Sequence, residues 1–255
     1  MLGLFRRLRR PPASIPDSVW QATRAFVPWI AALDAERDTR LRELGARFLH
    51  EKTITPLGGL ALDDVQRCTL ASLCCLPLLE FGAEGLRGWS QLIVYPDAFR
   101  VNRTHVDAAG VLHEWQDELI GEAWDQGPLI LSWADVVADC GDPHAGFCVA
   151  VHEMAHKIDV LDGVLDGTPP LPRPWQREWA RDFQTAYDAL AEQVDAGEDT
   201  VIDGYAAEAP EEFFAVVSEY HFSDPRLLRE TMPAVASHLQ RMYGPSPFDP
   251  AGSGR

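Results

Sequence analysis

The sequence predicts a mostly helical α+β fold with a small sheet just ahead of one histidine-bearing helix. Three observations predict it. Apolar residues recur at helical spacing over most of the chain. Short strand-like runs sit mid-chain, Leu92-Ile93-Val94-Tyr95 and Leu129-Ile130-Leu131-Ser132 being the clearest. His152-Glu153-Met154-Ala155-His156 follows them, inside an apolar run that suits a helix.

In chain order, helices are expected near 17–30, 34–51 and 63–80. The last is apolar almost throughout (Val65, Leu70, Leu73, Leu76, Leu79), which places it centrally. Strands are expected at 92–95 and 129–132, with shorter ones near 99–102 and 118–123. A helix at 134–139 leads to the breakers Gly141-Asp142-Pro143. With Asp162-Gly163 beyond the histidines, they frame a helix at about 145–161. Val160 to Pro174 holds two Asp-Gly pairs and four prolines, a loop long enough to rim a cleft. Asp162 and Asp166 lack the spacing of a calcium loop and read as turn residues. Helices at 174–195, 210–222 and 225–242 complete the series, with Pro210 suited to a first helical position.

Residues 1–15 are basic and are expected to be flexible. Residues 16–243 then form a single domain, and 244–255 a flexible tail. The content of 46% hydrophobic residues in 255 suffices for a substantial core. A formal charge of −17 argues against direct nucleic-acid binding and favours a basic partner or basic peptides. No apolar stretch suits stable membrane insertion, although Leu4, Phe5 and the nearby arginines could touch a membrane surface. The five cysteines (Cys68, Cys74, Cys75, Cys140, Cys148) form no C-x-x-C pair and four lie in apolar runs. They read as reduced core residues of a cytoplasmic protein.

His152 and His156, four apart, share one face of a helix, so both imidazoles can reach one metal ion. Glu153 beside them can contact a water in an open position. That is the donor set and base of a zinc hydrolase. A third ligand is needed. Asp162 stands six residues after His156, but the turn to bring it back calls for glycine where Asp159 stands. The other solution is a glutamate on the helix from Pro210. Glu211 and Glu212 lie in its first turn, where the helix dipole favours the ionised carboxylate, and Glu219 shares a face with Glu212. Asp159, on the ligand face, is a candidate acceptor for a histidine N–H, a cap for a backbone N–H, or a solvated side chain.

His152-Glu153-Met154-Ala155-His156-Lys157-Ile158-Asp159, then Leu161-Asp162-Gly163, Tyr205-Ala206-Ala207 and Glu212-Phe213-Phe214-Ala215-Val216, resemble the Mlc titration factor A family. Arg87-Gly88-Trp89, Val94-Tyr95-Pro96, Gly121-Glu122-Ala123-Trp124 and Leu131-Ser132-Trp133 extend the likeness from about Pro16 to about Tyr243. The resemblance implies a zincin-like metallopeptidase of the gluzincin type, with aminopeptidase-like activity on short peptides. It makes Glu212 the third zinc ligand, with His152 and His156. It also makes Tyr205 the residue facing the reacting carbonyl, as in the catalytic domain of anthrax lethal factor. Glu153 is then the general base, and Zn2+ the cofactor. An edge strand aligns the substrate in such peptidases, and Gly127 to Ser132 is the candidate here. No G-x-M-E-N sequence precedes the metal helix, so Glu122 is the candidate anchor for a substrate amine. A second class of function follows from the same family, whose founding member sequesters the transcription repressor Mlc. On that reading the chain is a regulator-binding protein and its metal site is secondary. Glu153 favours chemistry, because a structural metal site has no use for a base beside an open position.

Overall fold

Three prolines cut helices that periodicity alone runs together. The computed structural model describes residues 13–97 and 127–249. The expected helix at 17–30 is α1 (Asp17–Phe26) and α2 (Pro28–Ala31). Pro28 holds Val27 extended, at φ −104° and ψ 104°, which ends α1. Helix α3 (Ala35–Glu51) starts where Asp34 Oδ1 accepts the N–H groups of Glu36 and Arg37 at 3.0 and 2.9 Å. Strand β1 (Thr53–Pro56) follows it directly. The expected helix at 63–80 is likewise two pieces, α4 (Asp64–Cys75) and α5 (Leu78–Phe81), with Pro77 between them.

Strands β2 (Gln91–Tyr95) and β3 (Leu129–Ser132) lie where expected. The sheet is parallel throughout, in the order β1-β2-β3, with Ile54 opposite Leu92 and Leu92 opposite Leu129. Strand β1 was not anticipated: it is four residues long and ends on a proline. Proline is tolerated there because β1 lies at an edge of the described sheet. The buried Lys52 ammonium pins its start, donating to Leu86 O and Trp89 O and lying 3.9 Å from the centre of the Trp89 ring. Burial lowers its pKa to about 8. The short strands expected near 99–102 and 118–123, and Glu122, fall outside the described residues.

Ser132 ends β3 and caps α6 (Trp133–Gly141), its hydroxyl accepting the Asp135 N–H at 3.1 Å. Helix α7 (Val149–Asp159) carries the histidines and is shorter than expected, because Cys148 is extended. Then come α8 (Arg173–Asp195), α9 (Pro210–Ser223), α10 (Pro225–Thr231) and α11 (Pro233–Tyr243). The last two occupy the expected 225–242 segment, parted at Met232 ahead of Pro233.

The buried apolar residues form one continuous cluster. Helix α7 is its axis, flanked by α9 and α4 and backed by β3. Helix α8 turns Trp175, Trp179, Phe183 and Leu190 inward at helical spacing. Trp179 stacks on Phe183 at 3.8 Å and meets Phe214 of α9 edge-on at 5.6 Å, which fixes α8 against α9. All five cysteines are buried and free, and burial raises their thiol pKa values, that of Cys140 to about 12. No helix among the described residues is long and apolar enough to cross a membrane. Phe48, with 0% exposure, packs edge-on against Trp89 at 5.7 Å. Truncating it in Phe48→Ala should cost about 3–5 kcal/mol in urea denaturation. Removing the exposed α4 cap in Asp63→Ala should cost only about 1 kcal/mol.

Candidate metal centre

Helix α7 brings His152 and His156 to one face, and their Nε2 atoms are 3.2 Å apart. Glu212 approaches both from the first turn of α9. Its Oε2 lies 3.1 Å from His152 Nε2 and 3.6 Å from His156 Nε2. Donors on a tetrahedral ion with bonds of about 2.0–2.1 Å stand about 3.3 Å from one another. The triangle therefore has the size of one face of such a coordination sphere. Glu212 Oε2 is shielded from solvent yet makes no aligned hydrogen bond, and His156 Nδ1 is buried without a partner among the described residues. Three lone-pair donors facing one point repel each other unless a cation or a proton lies between them. The residues fit a divalent metal on geometry and on donor chemistry alike.

Glu219, weighed above as a rival ligand, sits one level deeper. It is fully buried; one carboxylate oxygen lies 2.7 Å from His152 Nδ1 and the other accepts the Cys148 N–H at 2.7 Å. The first contact keeps a proton on Nδ1 and so turns the Nε2 lone pair toward the centre of the triangle. The second satisfies one of the free N–H groups at the start of α7. Asp139 on α6 satisfies the next, accepting the Val149 N–H at 2.9 Å.

Tyr205 stands on a 3-10 turn (Gly204–Ala207) whose start is fixed by Asp203 Oδ1 accepting the Tyr205 N–H at 3.0 Å. Its ring centre is 6.2 Å from that of His152. The structure thus gathers His152, His156, Glu212 and Tyr205, with Glu153 half-buried on the same helix as the histidines. Asp162 is not brought in. It is exposed, and its Oδ1 accepts the Val164 N–H at 3.2 Å. Asp166 makes the same turn contact to Thr168 N at 3.0 Å. Asp159 gives Oδ2 to the Gly167 N–H at 2.7 Å, the capping role. Lys157 donates to Gly127 O at 3.0 Å, which joins α7 to the chain entering β3. Burial lowers the Lys157 pKa against the opposing field of Glu153.

The family model for glucose-regulated metallo-peptidase M90 matches residues 4–244. The chain belongs to that family. Mlc titration factor A of Cronobacter sakazakii is 37% identical over 239 residues, covering 92% of this chain and 89% of that protein. The protein of that name from Enterobacter sp. (strain 638) is 38% identical over 241 residues, covering 93% and 89%. That from Serratia proteamaculans is 37% identical over 232 residues, covering 90% and 87%. The zincin-like architecture expected from sequence is therefore that of an M90 metallopeptidase.

Within this M90 chain, Glu219 and Asp139 are the site residues whose roles sequence reasoning missed. A signal existed for Glu219: it is an ionisable residue in a largely apolar stretch, Phe213 to Phe222. Nothing in the sequence pairs it with His152 rather than with a metal. Glu219→Gln keeps the volume and loses the charge. It should weaken metal binding by about 10–100-fold, read by competition with a chelating indicator. In the metal-free protein, burial of His152 opposes its charge, but Glu219 and Glu212 outweigh burial and raise its pKa to about 10. Glu212 is held below the ordinary carboxylate range, its own burial being outweighed by the two histidines. A raised histidine pKa stabilises the fold fully below about pH 6.5 and loses that contribution as pH rises through the folded value. In EDTA, the Tm advantage of wild type over Glu219→Gln should therefore shrink between pH 7 and pH 10.

Proposed function

We propose that this protein is a zinc-dependent peptidase that hydrolyses peptide bonds, with an aminopeptidase-like preference for short peptides. The convergence of His152 Nε2, His156 Nε2 and Glu212 Oε2 on one point carries the reading. Two imidazoles and one carboxylate with a position left open are the donors of a catalytic zinc site. When bound, zinc supplies Lewis acidity and brings the pKa of a water in the open position to about 7.

The chain's own residues do the rest. Glu153 takes the proton of the attacking water and passes it to the departing amine. The Tyr205 hydroxyl donates to the substrate carbonyl oxygen as that atom gains charge. Glu219 holds His152 in its inward-facing tautomer. Strand β3, paired with β2 on one side, offers its segment Gly127 to Ser132 to an extended peptide, and Lys157 steadies the first carbonyl of that segment. Glu122 would receive the substrate amine. Buried, unpaired thiols support residence in the cytoplasm.

A second activity rests on the relatives' printed name. Proteins 37–38% identical along nine-tenths of this chain are called Mlc titration factor A. We propose that this chain too binds a transcription repressor resembling Mlc, and the formal charge of −17 favours a basic surface on that partner. Glu153→Ala should retain zinc and lose at least about two orders of magnitude in kcat on an alanyl anilide. Tyr205→Phe should lose about 10–1,000-fold with KM little changed. Equal turnover by wild type and Glu153→Ala would sink the mechanism. No turnover of any peptide, together with tight binding of an Mlc-like repressor by both proteins, would leave the second activity as the function.

A further inference from the structure

Gly167 lies between α7 and α9, which carry the candidate donors, and α8, which packs against α9. Asp166 Oδ1 accepts the Thr168 N–H at 3.0 Å, closing a turn that puts Gly167 at φ +78°. From that position its N–H donates to Asp159 Oδ2 at 2.7 Å, three residues beyond the ligand His156 on α7. Its carbonyl accepts the Trp179 indole N–H at 3.0 Å, from α8. Its open side meets the start of α9. A Cβ placed on Gly167 would stand 2.4 Å from Pro210 O and 2.8 Å from Pro210 C, two residues before the ligand Glu212.

We infer that Gly167 is a positioning residue that sets the spacing between α7 and α9, and with it the triangle of metal donors. The inference rests on the metal-site reading above, and magnitudes support it. Moving a carbon from 2.4 Å to an ordinary carbon–oxygen separation of about 3.3 Å needs close to 1 Å of relief. The atoms in the way are backbone of the first turn of α9, so that turn must move and Glu212 with it. Metal–ligand distances tolerate only about 0.2 Å. The displacement exceeds the tolerance several-fold, whereas the two hydrogen bonds keep Gly167 from retreating. Phe213 and Phe214, packed against α8, limit how far α9 can tilt to compensate.

Gly163 is the internal control. It lies in the same loop at φ +94°, so an alanine there carries a similar backbone cost, but its Cβ would meet nothing within 4 Å. The experiment compares wild type, Gly167→Ala, Gly163→Ala and His152→Ala for zinc affinity by chelator competition and for the visible spectrum of the cobalt-loaded protein. Helical circular dichroism and the Tm in EDTA report the fold. Gly167→Ala should bind zinc at least about tenfold more weakly than Gly163→Ala and show an altered cobalt spectrum. Equal affinities and spectra in the two alanine variants would overturn the proposal. Should Gly167→Ala fail to fold, Trp179→Phe carries the test, since it keeps a ring against Phe183 and deletes the donor to Gly167. A drop in its affinity of about three- to tenfold supports the proposal, and wild-type affinity overturns it. Zinc binding by wild type no better than by His152→Ala would overturn the metal-site reading itself, a result readable apart from the glycine comparison.

Discussion

The Glu219 carboxylate forks between His152 Nδ1 and the Cys148 N–H, and the rest of the site is arranged around that fork. Burying an unpaired carboxylate costs several kcal/mol. Here each oxygen meets a donor, and hydrogen bonds to a charged group contribute about 1.5–3 kcal/mol apiece. The start of α7 also offers the favourable end of its helix dipole, and Asp139 adds a second buried carboxyl group there. The same contacts that hold α7 in place therefore orient the His152 imidazole. Structure and chemistry share one carboxylate.

Helix α9 explains how one element serves both purposes. From Phe213 to Ser223 it is buried on every side, as a central helix must be. Its two carboxylates facing α7, Glu212 and Glu219, are seven residues apart and so nearly in line along the helix. One lies in the partly exposed first turn, within 3.6 Å of both imidazole Nε2 atoms. The other is fully enclosed and cannot face an incoming ligand. Depth alone separates the carboxylate beside both imidazoles from the one that orients His152. On the opposite side, Phe213 and Phe214 lock α9 to Phe183 and Trp179 of α8. Any change at the start of α9 is thus transmitted to Glu212 rather than absorbed.

Much of this was legible. The i, i+4 histidines lie on one face because helix geometry puts them there, and the structure has their Nε2 atoms 3.2 Å apart. The second-helix carboxylate followed from Pro210 and the first-turn glutamates, while resemblance selected Glu212 among them. Less legible were the helix ends at Val27, Leu76 and Met232, where a following proline overrides an unbroken apolar pattern. Strand β1 escaped because four residues ending in proline carry no period to detect. Asp159 illustrates an ambiguity that spacing cannot resolve. From the ligand face it can serve a histidine or a backbone N–H, and the loop packed above it supplied the second.

What the sequence determined by itself is whatever depends on neighbours within a few turns: the helical framework, the paired histidines with Glu153, and the turn residues Asp162 and Asp166. Those follow from short-range geometry, which repeats wherever the same spacing occurs. Only the tertiary structure decided that Glu219 serves His152 across 67 residues and that Trp179 reaches back to the Gly167 carbonyl. It alone placed Gly167 against Pro210. Such contacts depend on how deep each helix lies and which face it turns inward. These are set by packing the whole core at once, so no local pattern encodes them.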